Sequence, residues 1–365
     1  MALAGMRVVW FIDLNRTFIS EDIRICADHV MAGLRLRIGL PAQALAAQGV
    51  LNTLVSIAPG DTLPALPARP DIAVFTKPYI YGDAERDRHA SRFIDAAETL
   101  KRNGTAVVFD QTDNLFADQR RDYALRMLEL ADAVSTCSTI LGALIQEHAD
   151  RESWLVPDPL EGRRGEAAFD ARSRRGLWAR LRGAPADAPL RLLWFGGQPA
   201  TFRALTRWRS ELARLAHRQP LKLEVVMNRV PEVEAGVAQM AGDGIAVTLH
   251  AWSPAAMAER LADCDLVLLP TDSTNPRSFT ASSNRLVAAL WAGRFPIAGA
   301  IPSYLDFTDY AWVGDNPVAG IDWALAHPQE VLERLRAGQA RLEQSFSTAA
   351  VGAAWGAMFE GLGRR

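Results

Sequence analysis

The sequence predicts an α/β protein built from two Rossmann-like, doubly wound parallel-sheet domains. Short apolar runs rich in β-branched residues alternate with amphipathic helices along most of the chain. The runs are continuously apolar, the mark of strands buried on both faces and paired in parallel. The alternation lapses once, over Glu161–Pro189, and then restarts. A chain of 365 residues also exceeds what one core normally organises, so two domains are expected.

The elements follow in order. Arg7–Ile12 (RVVWFI) reads as the first strand and Pro41–Gln48 as a helix after it. Leu54–Ile57 and Ile72–Phe75 are strands, Ala84–Asn103 is a helix closed by Gly104, and Ala106–Phe109 is a strand. A helix is predicted over Asn114–Ala131, a short strand over Ala133–Ser135, a helix over Thr139–Ala149 and a strand over Trp154–Val156. After the gap, Leu190–Phe195 is a strand and Thr201–Arg218 a helix. Leu223–Met227, Ile245–His250, Asp265–Pro270 and Phe295–Ala298 are strands, separated by helices Pro231–Met240, Pro254–Cys264 and Asn284–Ala292. Helices Pro328–Gln344 and Thr348–Leu362 close the chain. Right-handed crossovers turn this order into doubly wound sheets. The expected division is residues 1–160, an arginine-rich linker at 161–189 with a short helix over Gly176–Leu181, a second domain at 190–345, and a last helix at 346–365.

Composition excludes several classes. Apolar content of 49% and charged content of 22% describe a globular protein, and a net charge of −2 offers no basic field for nucleic acid. Cys26, Cys137 and Cys264 lie far apart, without metal or redox spacing. The stretch MALAGMRVVWFIDLN reads as a first strand and not as a leader peptide, and no run reaches the length that spans a bilayer. The expectation is a cytoplasmic protein.

In open parallel sheets, ligands bind beyond the carboxyl ends of the strands. In the first half those positions hold Asp13, Lys77, Asp110, Asp113 and Ser138; in the second they hold Gly196, Gly197, Asn228, Trp252, Thr271, Asp272, Ser273, Asn284 and Arg285. Gly196-Gly197 opens a helix and lets backbone amides approach an anion, although the G-x-G-x-x-G fingerprint is absent. In TASSNR (280–285), Ser282, Ser283 or Asn284 can cap the following helix. Arg285 sits in a first turn that favours acids, which makes sense if it meets a phosphate, and Arg277 and Arg203 can serve the same anion. Asp110 ends a buried strand, while Asp113 or Asn114 reads equally well as a helix cap. Asp263 and Asp265 flank Cys264 at the amino end of a strand, the wrong end for a metal site, and the six histidines are scattered.

Together these stretches resemble GT-B glycosyltransferases of the bacterial family-4-like group. The second half carries LRLLWFGG (190–197), AERLADCDLVLLP (258–270) and SSNRLVAALWAGRFPIAGAIPSY (282–304). The first carries RIGLPAQALAAQGV (37–50), VFTKPY (74–79), VFDQTDNLF (108–116), ADAVSTCST (131–139) and PDP (157–159), in the family's order. The resemblance implies two domains facing across a cleft, with a nucleotide-sugar held on the second and an acceptor on the first, where Arg37 and Lys77 lie. It implies closure between the domains, a last helix crossing back to the first, and no cofactor or metal, the nucleotide-sugar being a substrate. An inverting member needs a carboxylate base, for which Asp110 comes first and Asp113 or Asp13 second. One departure stands out: two glutamates usual in retaining members are replaced by Thr280 and Ala288, and neither accepts hydrogen bonds as a carboxylate does.

The leading function is transfer of a sugar to a glycan or lipid-linked acceptor in surface polysaccharide synthesis. A nucleotide-sugar 2-epimerase and a nucleotide-sugar-binding pseudoenzyme are the alternatives. Arg163–Arg182 is read either as a solvated linker or as a peripheral contact with the inner membrane, seven arginines interleaved with Leu177, Trp178 and Leu181.

Overall fold

The computed structural model describes residues 3–78, 86–169, 189–197 and 199–363. The chain divides into two compact units, Met1–Pro159 with Gln344–Arg365, and Leu160–Glu343. Each contains one largely parallel sheet.

In the first unit the strands are β1 (Arg7–Ile12), β2 (Phe18–Ser20), β3 (Leu51–Ser56), β4 (Ile72–Phe75), β5 (Ala106–Gln111), β6 (Ala133–Thr136) and β7 (Trp154–Leu155), in spatial order β2-β3-β1-β4-β5-β6-β7. All neighbours are parallel except β2, which runs antiparallel to β3. The two-residue period of β1 sorts its side chains into two cores. Val8, Trp10 and Ile12 join Ala42 and Leu45 of helix Leu40–Ala46 and Val351, Trp355 and Phe359 of helix Thr348–Leu362. Val9 and Phe11 join Phe93 and Ala97 of helix Arg86–Arg102 and Tyr123 and Met127 of helix Arg121–Leu130. Phe11 stacks on Phe75 at 4.1 Å and Trp10 meets Trp355 edge-on at 5.2 Å. Burying each such phenylalanine contributes about 1.5–3 kcal/mol.

The second unit holds β8 (Leu190–Phe195), β9 (Leu221–Met227), β10 (Ala246–Ala251), β11 (Leu266–Leu269), β12 (Phe295–Ala298) and β13 (Trp312–Val313), in order β10-β9-β8-β11-β12-β13 and parallel throughout. Numbered within the unit this is 3-2-1-4-5-6, the doubly wound order whose direction reverses between its first and fourth strands. That reversal lies between β8 and β11.

Several elements depart from the sequence-based expectation. The helix predicted over Asn114–Ala131 is a short turn, Leu115–Ala117, followed by Arg121–Leu130. Asp118 Oδ1 accepts from the Arg120 amide at 2.8 Å, a local bond that competes with helix propagation. The helix predicted over Thr201–Arg218 is two helices, Pro199–Arg207 and Arg209–Arg218. Strands β2 and β13 are too short to show a period in sequence, and helix Pro317–Ala326 has no counterpart in the sequence-based reading.

Residues 161–169, expected in a linker, pack on the second unit. The Gly165 amide donates to Trp291 O at 2.9 Å, and Gln339 Nε2 donates to Gly165 O at 2.9 Å. Arg164 meets Glu343 at 3.1 Å and Gln339 at 3.2 Å. The predicted helix Gly176–Leu181 and Arg172, Arg174, Arg175, Arg180 and Arg182 lie outside the described residues. Among the described residues no helix is long and apolar enough to cross a membrane.

Candidate ligand sites at the carboxyl edges

In the second unit, the carboxyl ends of β8 and β11 flank the point where strand order reverses. Gly196 follows β8 directly; a Cβ there would lie 2.8 Å from both Thr201 Oγ1 and the Trp194 ring, so any larger residue would have to displace one of those side chains. Gly197 is exposed, with open space where a side chain would be. Beyond β11, Thr271 lies against Gly299 at the end of β12. Asp272 accepts from Thr274 Oγ1 at 2.6 Å and pairs with Arg207 at 2.6 Å. The Thr274 hydrogen bond, followed by the pairing with Arg207, holds the Asp272 carboxyl below its ordinary pKa. Arg207 thus ties helix Pro199–Arg207 to the loop after β11, a role that nothing in the sequence announces.

Arg203, one turn earlier, is exposed and paired with Glu232 at 3.0 Å. Such surface pairs contribute little, and this one can be exchanged for a ligand. Asn228 and Arg277 are exposed and Trp252 half-buried. The segment before helix Asn284–Trp291 is built differently from the expected cap. Ser283 occupies the N-cap position but makes no side-chain cap bond. Instead the Asn275 side chain caps the four-residue helix Pro276–Phe279, and Ser303 Oγ donates to Ala281 O at 2.6 Å, fixing the loop. Ser282, Ser283, Asn284 and Arg285 are all half-buried, and Arg285 Nη1 is buried without a hydrogen-bond partner. A buried guanidinium N–H left unpaired is costly, so the arrangement suits an incoming acceptor oxygen. Thr280 is buried and its hydroxyl donates to Pro276 O at 2.9 Å, so it shapes the loop. The Asp263 and Asp265 carboxylates meet Arg191 at the amino end of the sheet. Among the described residues no group of three or more metal-ligating side chains is placed to hold an ion.

In the first unit, Asp110 requires a correction. The sequence places it past the strand, but β5 continues through Gln111 and the carboxylate is only 1% exposed. Its Oδ1 accepts from Arg37 Nη2 at 2.7 Å and Ser135 Oγ at 2.7 Å, and its Oδ2 from Arg37 Nε at 3.1 Å. Arg37 also donates to Val156 O at 2.7 Å and Asp158 at 3.1 Å, and lies over the Trp355 ring at 5.7 Å. Burial alone would favour discharge of Arg37, but Asp110 and then Asp158 hold its pKa above the usual arginine value. The pair is a buried structural tie between the turn at Arg37 and the end of β5.

Asp13, at the end of β1, pairs with Arg92 at 2.8 Å, and both side chains are at most 2% exposed. Next to it, a cavity of about 300 Å³ is lined by Asp13, Leu14, Asn15, His29 and Met31. Asn15 has φ of +54°, a left-handed turn that asparagine tolerates. His29 Nδ1 accepts from the Met31 amide at 3.1 Å, and burial followed by the Arg35 charge lowers its pKa. Asp113 is the accessible member of the three predicted carboxylates: its side chain is 44% exposed and it pairs with Lys77. Ser135, Arg92 and His29 carry no signal in the sequence, because only the fold brings them to these strand ends.

The comparisons with known proteins agree with this architecture. No protein-family model matches the chain, and no curated protein sequence matches it. Solved structures do. The chain is similar to S. aureus TarM, solved as a point mutant with fondaparinux, α-GlcNAc-glycerol and UDP. Identity is 11% over 79% of this chain and 55% of that one, with a TM-score of 0.53. The chain therefore spans about half the length of TarM. It is also similar to WaaG, a glycosyltransferase involved in lipopolysaccharide biosynthesis (13% identity, 97% and 100% coverage, TM-score 0.57). A third is an E. coli trehalose-6-phosphate protein bound with UDP-2-fluoro glucose (12% identity, 97% and 99% coverage, TM-score 0.62). The chain has the GT-B fold.

Proposed function

We propose that this GT-B chain is a glycosyltransferase that moves a sugar from a nucleotide-sugar donor to a hydroxyl of a glycan or lipid-linked acceptor, in surface polysaccharide synthesis. The observation that carries the reading is Arg285. Its buried Nη1 lacks a partner, in the first turn of a helix whose N-cap side chain makes no cap bond. Helix amides and a guanidinium are the groups that neutralise a departing diphosphate. Gly196, Gly197 and Thr271 lie at the same sheet edge, and Arg203 and Arg277 are near in sequence to its two loops. Two of the similar structures hold UDP or a UDP-sugar, which supports a nucleotide-sugar as the class of ligand.

On the first unit, Asp113 is the carboxylate we assign as general base. It is half-buried, with its side chain 44% exposed, and Lys77 orients it. Asp110 and Asp13 are engaged in buried ion pairs. The reading requires no metal, since arginine and helix dipole can balance the diphosphate charge. Transfer should then survive chelation, and a full loss restored by manganese or magnesium would contradict that part.

The test is incubation with UDP-, GDP- and TDP-sugars and a bacterial glycan or glycolipid fraction, following the release of nucleotide and the label on the acceptor. Acceptor-dependent release supports the reading. Tight nucleotide binding without release from any donor would favour the pseudoenzyme, to which the loss of glutamates at Thr280 and Ala288 already lends weight.

A further inference from the structure

Arg207 closes on Asp272 with both arms of its guanidinium, Nη1 to Oδ1 at 2.6 Å and Nη2 to Oδ2 at 2.7 Å. A two-point contact of this kind fixes orientation as well as distance. The partners come from opposite sides of the strand reversal. Arg207 ends helix Pro199–Arg207, which follows β8, and Asp272 lies in the loop after β11.

That loop is organised around Asp272. Its Oδ1 also accepts from the Thr274 amide at 3.1 Å and Thr274 Oγ1 at 2.6 Å, and its carbonyl accepts from the Asn275 amide at 3.1 Å. Asn275 Oδ1 in turn accepts from the Arg277 amide at 2.9 Å, capping helix Pro276–Phe279. The Thr280 hydroxyl donates to Pro276 O at 2.9 Å and the Ala281 amide to Ser278 O at 3.2 Å. A continuous run of hydrogen bonds thus leads from Arg207 to Ala281, just short of the helix whose first turn carries Arg285. Arg207 anchors the near end of the loop, and Ser303 Oγ, on Ala281 O, its far end. Between them Ser273, Thr274, Asn275, Pro276 and Arg277 are exposed, so packing does little to hold them.

We propose that Arg207 and Asp272 are positioning residues for the diphosphate: their pair holds the loop after β11 so that Arg285 is presented to the ligand, and it balances a carboxylate that would otherwise repel an anion. Arg207 is 56% exposed, and an exposed pair adds little to the stability of the whole domain. What the pair governs is the placing of the two loops that flank the strand reversal, and small misplacements at a binding site are costly. Without Arg207, Asp272 would set a bare negative charge at the edge that receives the diphosphate. The proposal rests on the nucleotide reading only for its ligand; the ordering of the loop is a property of the free chain.

The experiment uses the full-length chain as wild type, Arg207→Ala, Arg207→Lys, Asp272→Asn and the double variant of Arg207→Ala with Asp272→Asn. Hydrogen exchange of the free proteins comes first. Amides from Ser273 to Ala281 should exchange at least about fivefold faster in Arg207→Ala, while exchange in the strands and the melting temperature stay near wild type. Titration calorimetry with UDP, GDP and TDP follows. Arg207→Ala should weaken the best-bound diphosphate at least about tenfold. Arg207→Lys, which keeps the charge without the two-point contact, should weaken it less. The double variant should bind better than Arg207→Ala alone, because it also lacks the repelling carboxylate; a pair that is only structural gives no such recovery. Unchanged loop exchange in Arg207→Ala overturns the proposal. So does a fall in melting temperature with faster exchange throughout the second unit, or a double variant that binds no better than Arg207→Ala. If the loop loosens as expected but wild type binds none of the three diphosphates, the nucleotide reading fails and the ordering of the loop by Arg207 stands.

Discussion

Arg37 closes on Asp110 through two hydrogen bonds, Nη2 to Oδ1 at 2.7 Å and Nε to Oδ2 at 3.1 Å, with both side chains under 5% exposed. Breaking one half of such a pair leaves a buried charge without compensation. Asp110→Ala should therefore cost about 3–5 kcal/mol of stability. Urea denaturation reads this directly. A loss below about 1 kcal/mol would show that the pair is not the tie described.

Asp113→Asn should lower the transfer rate by about 10²–10⁴, the usual contribution of a general base, and leave nucleotide affinity unchanged. Lys77 should matter less, since it orients the carboxylate and does not take the proton. An Asp113→Asn enzyme with wild-type turnover would return the base to another group or to the leaving diphosphate.

The contrast between Asp110 and Asp113 shows what the sequence could say. The doubly wound class, the parallel pairing and the carboxyl edges followed from unbroken apolar runs alternating with helices, and Asp13, Gly196 and Thr271 lie at those edges. The sequence could not show that β5 runs two residues further and buries Asp110, since exposure at a strand end depends on what packs there. Nor could it show that Arg37, read as an acceptor-side residue, closes on Asp110. Arg37 is buried in the π-helical turn Arg35–Gly39, a local winding that the sequence does not announce. Arg207 and Asp272 are 65 residues apart and meet only because β8 and β11 are neighbours. Ser282, Ser283 or Asn284 read as a cap; Ser283 takes the N-cap position without a side-chain cap bond, and Ser303 bonds to Ala281 in that loop.

Gly293 turns the chain out of helix Asn284–Trp291 with φ of +71°, and a Cβ there would lie 2.1 Å from Glu166 O. Gly293→Ala should strain the turn and release the stretch 160–169 from the second unit. Limited proteolysis should then cut near Arg163 and Arg164 at least several-fold faster than in wild type. Equal cutting rates would mean that the stretch is held by other contacts.

The three cysteines set an alkaline limit on stability. Burial pushes the Cys26 and Cys264 thiols up to about 12 and Cys137 higher still. The raised folded-state values mean that the unfolded chain releases these protons first. The stabilisation they represent is intact below the ordinary thiol pKa and is lost as pH climbs from about 9 towards 12. Stability should fall over that range, and Cys26→Ala should flatten the fall. At pH 8 a disulfide reagent should label the native thiols at least about tenfold more slowly than those of the urea-unfolded chain. Rapid native labelling would contradict the burial.

The central claim is that the carboxyl edge of β8 and β11, with Arg285, receives a nucleoside diphosphate. The direct measurement is a thermal-shift series with UDP, GDP, TDP and CMP on wild type and on Arg285→Ala. A ligand at 100 times its dissociation constant adds about 2.7 kcal/mol, which raises the melting temperature of a domain this size by about 5–10 °C. The account expects at least one diphosphate to give that shift, and the variant to bind it about 10- to 150-fold more weakly, the loss of one charge-assisted hydrogen bond. No shift with any nucleotide at millimolar concentration, or a shift that Arg285→Ala leaves intact, would contradict it.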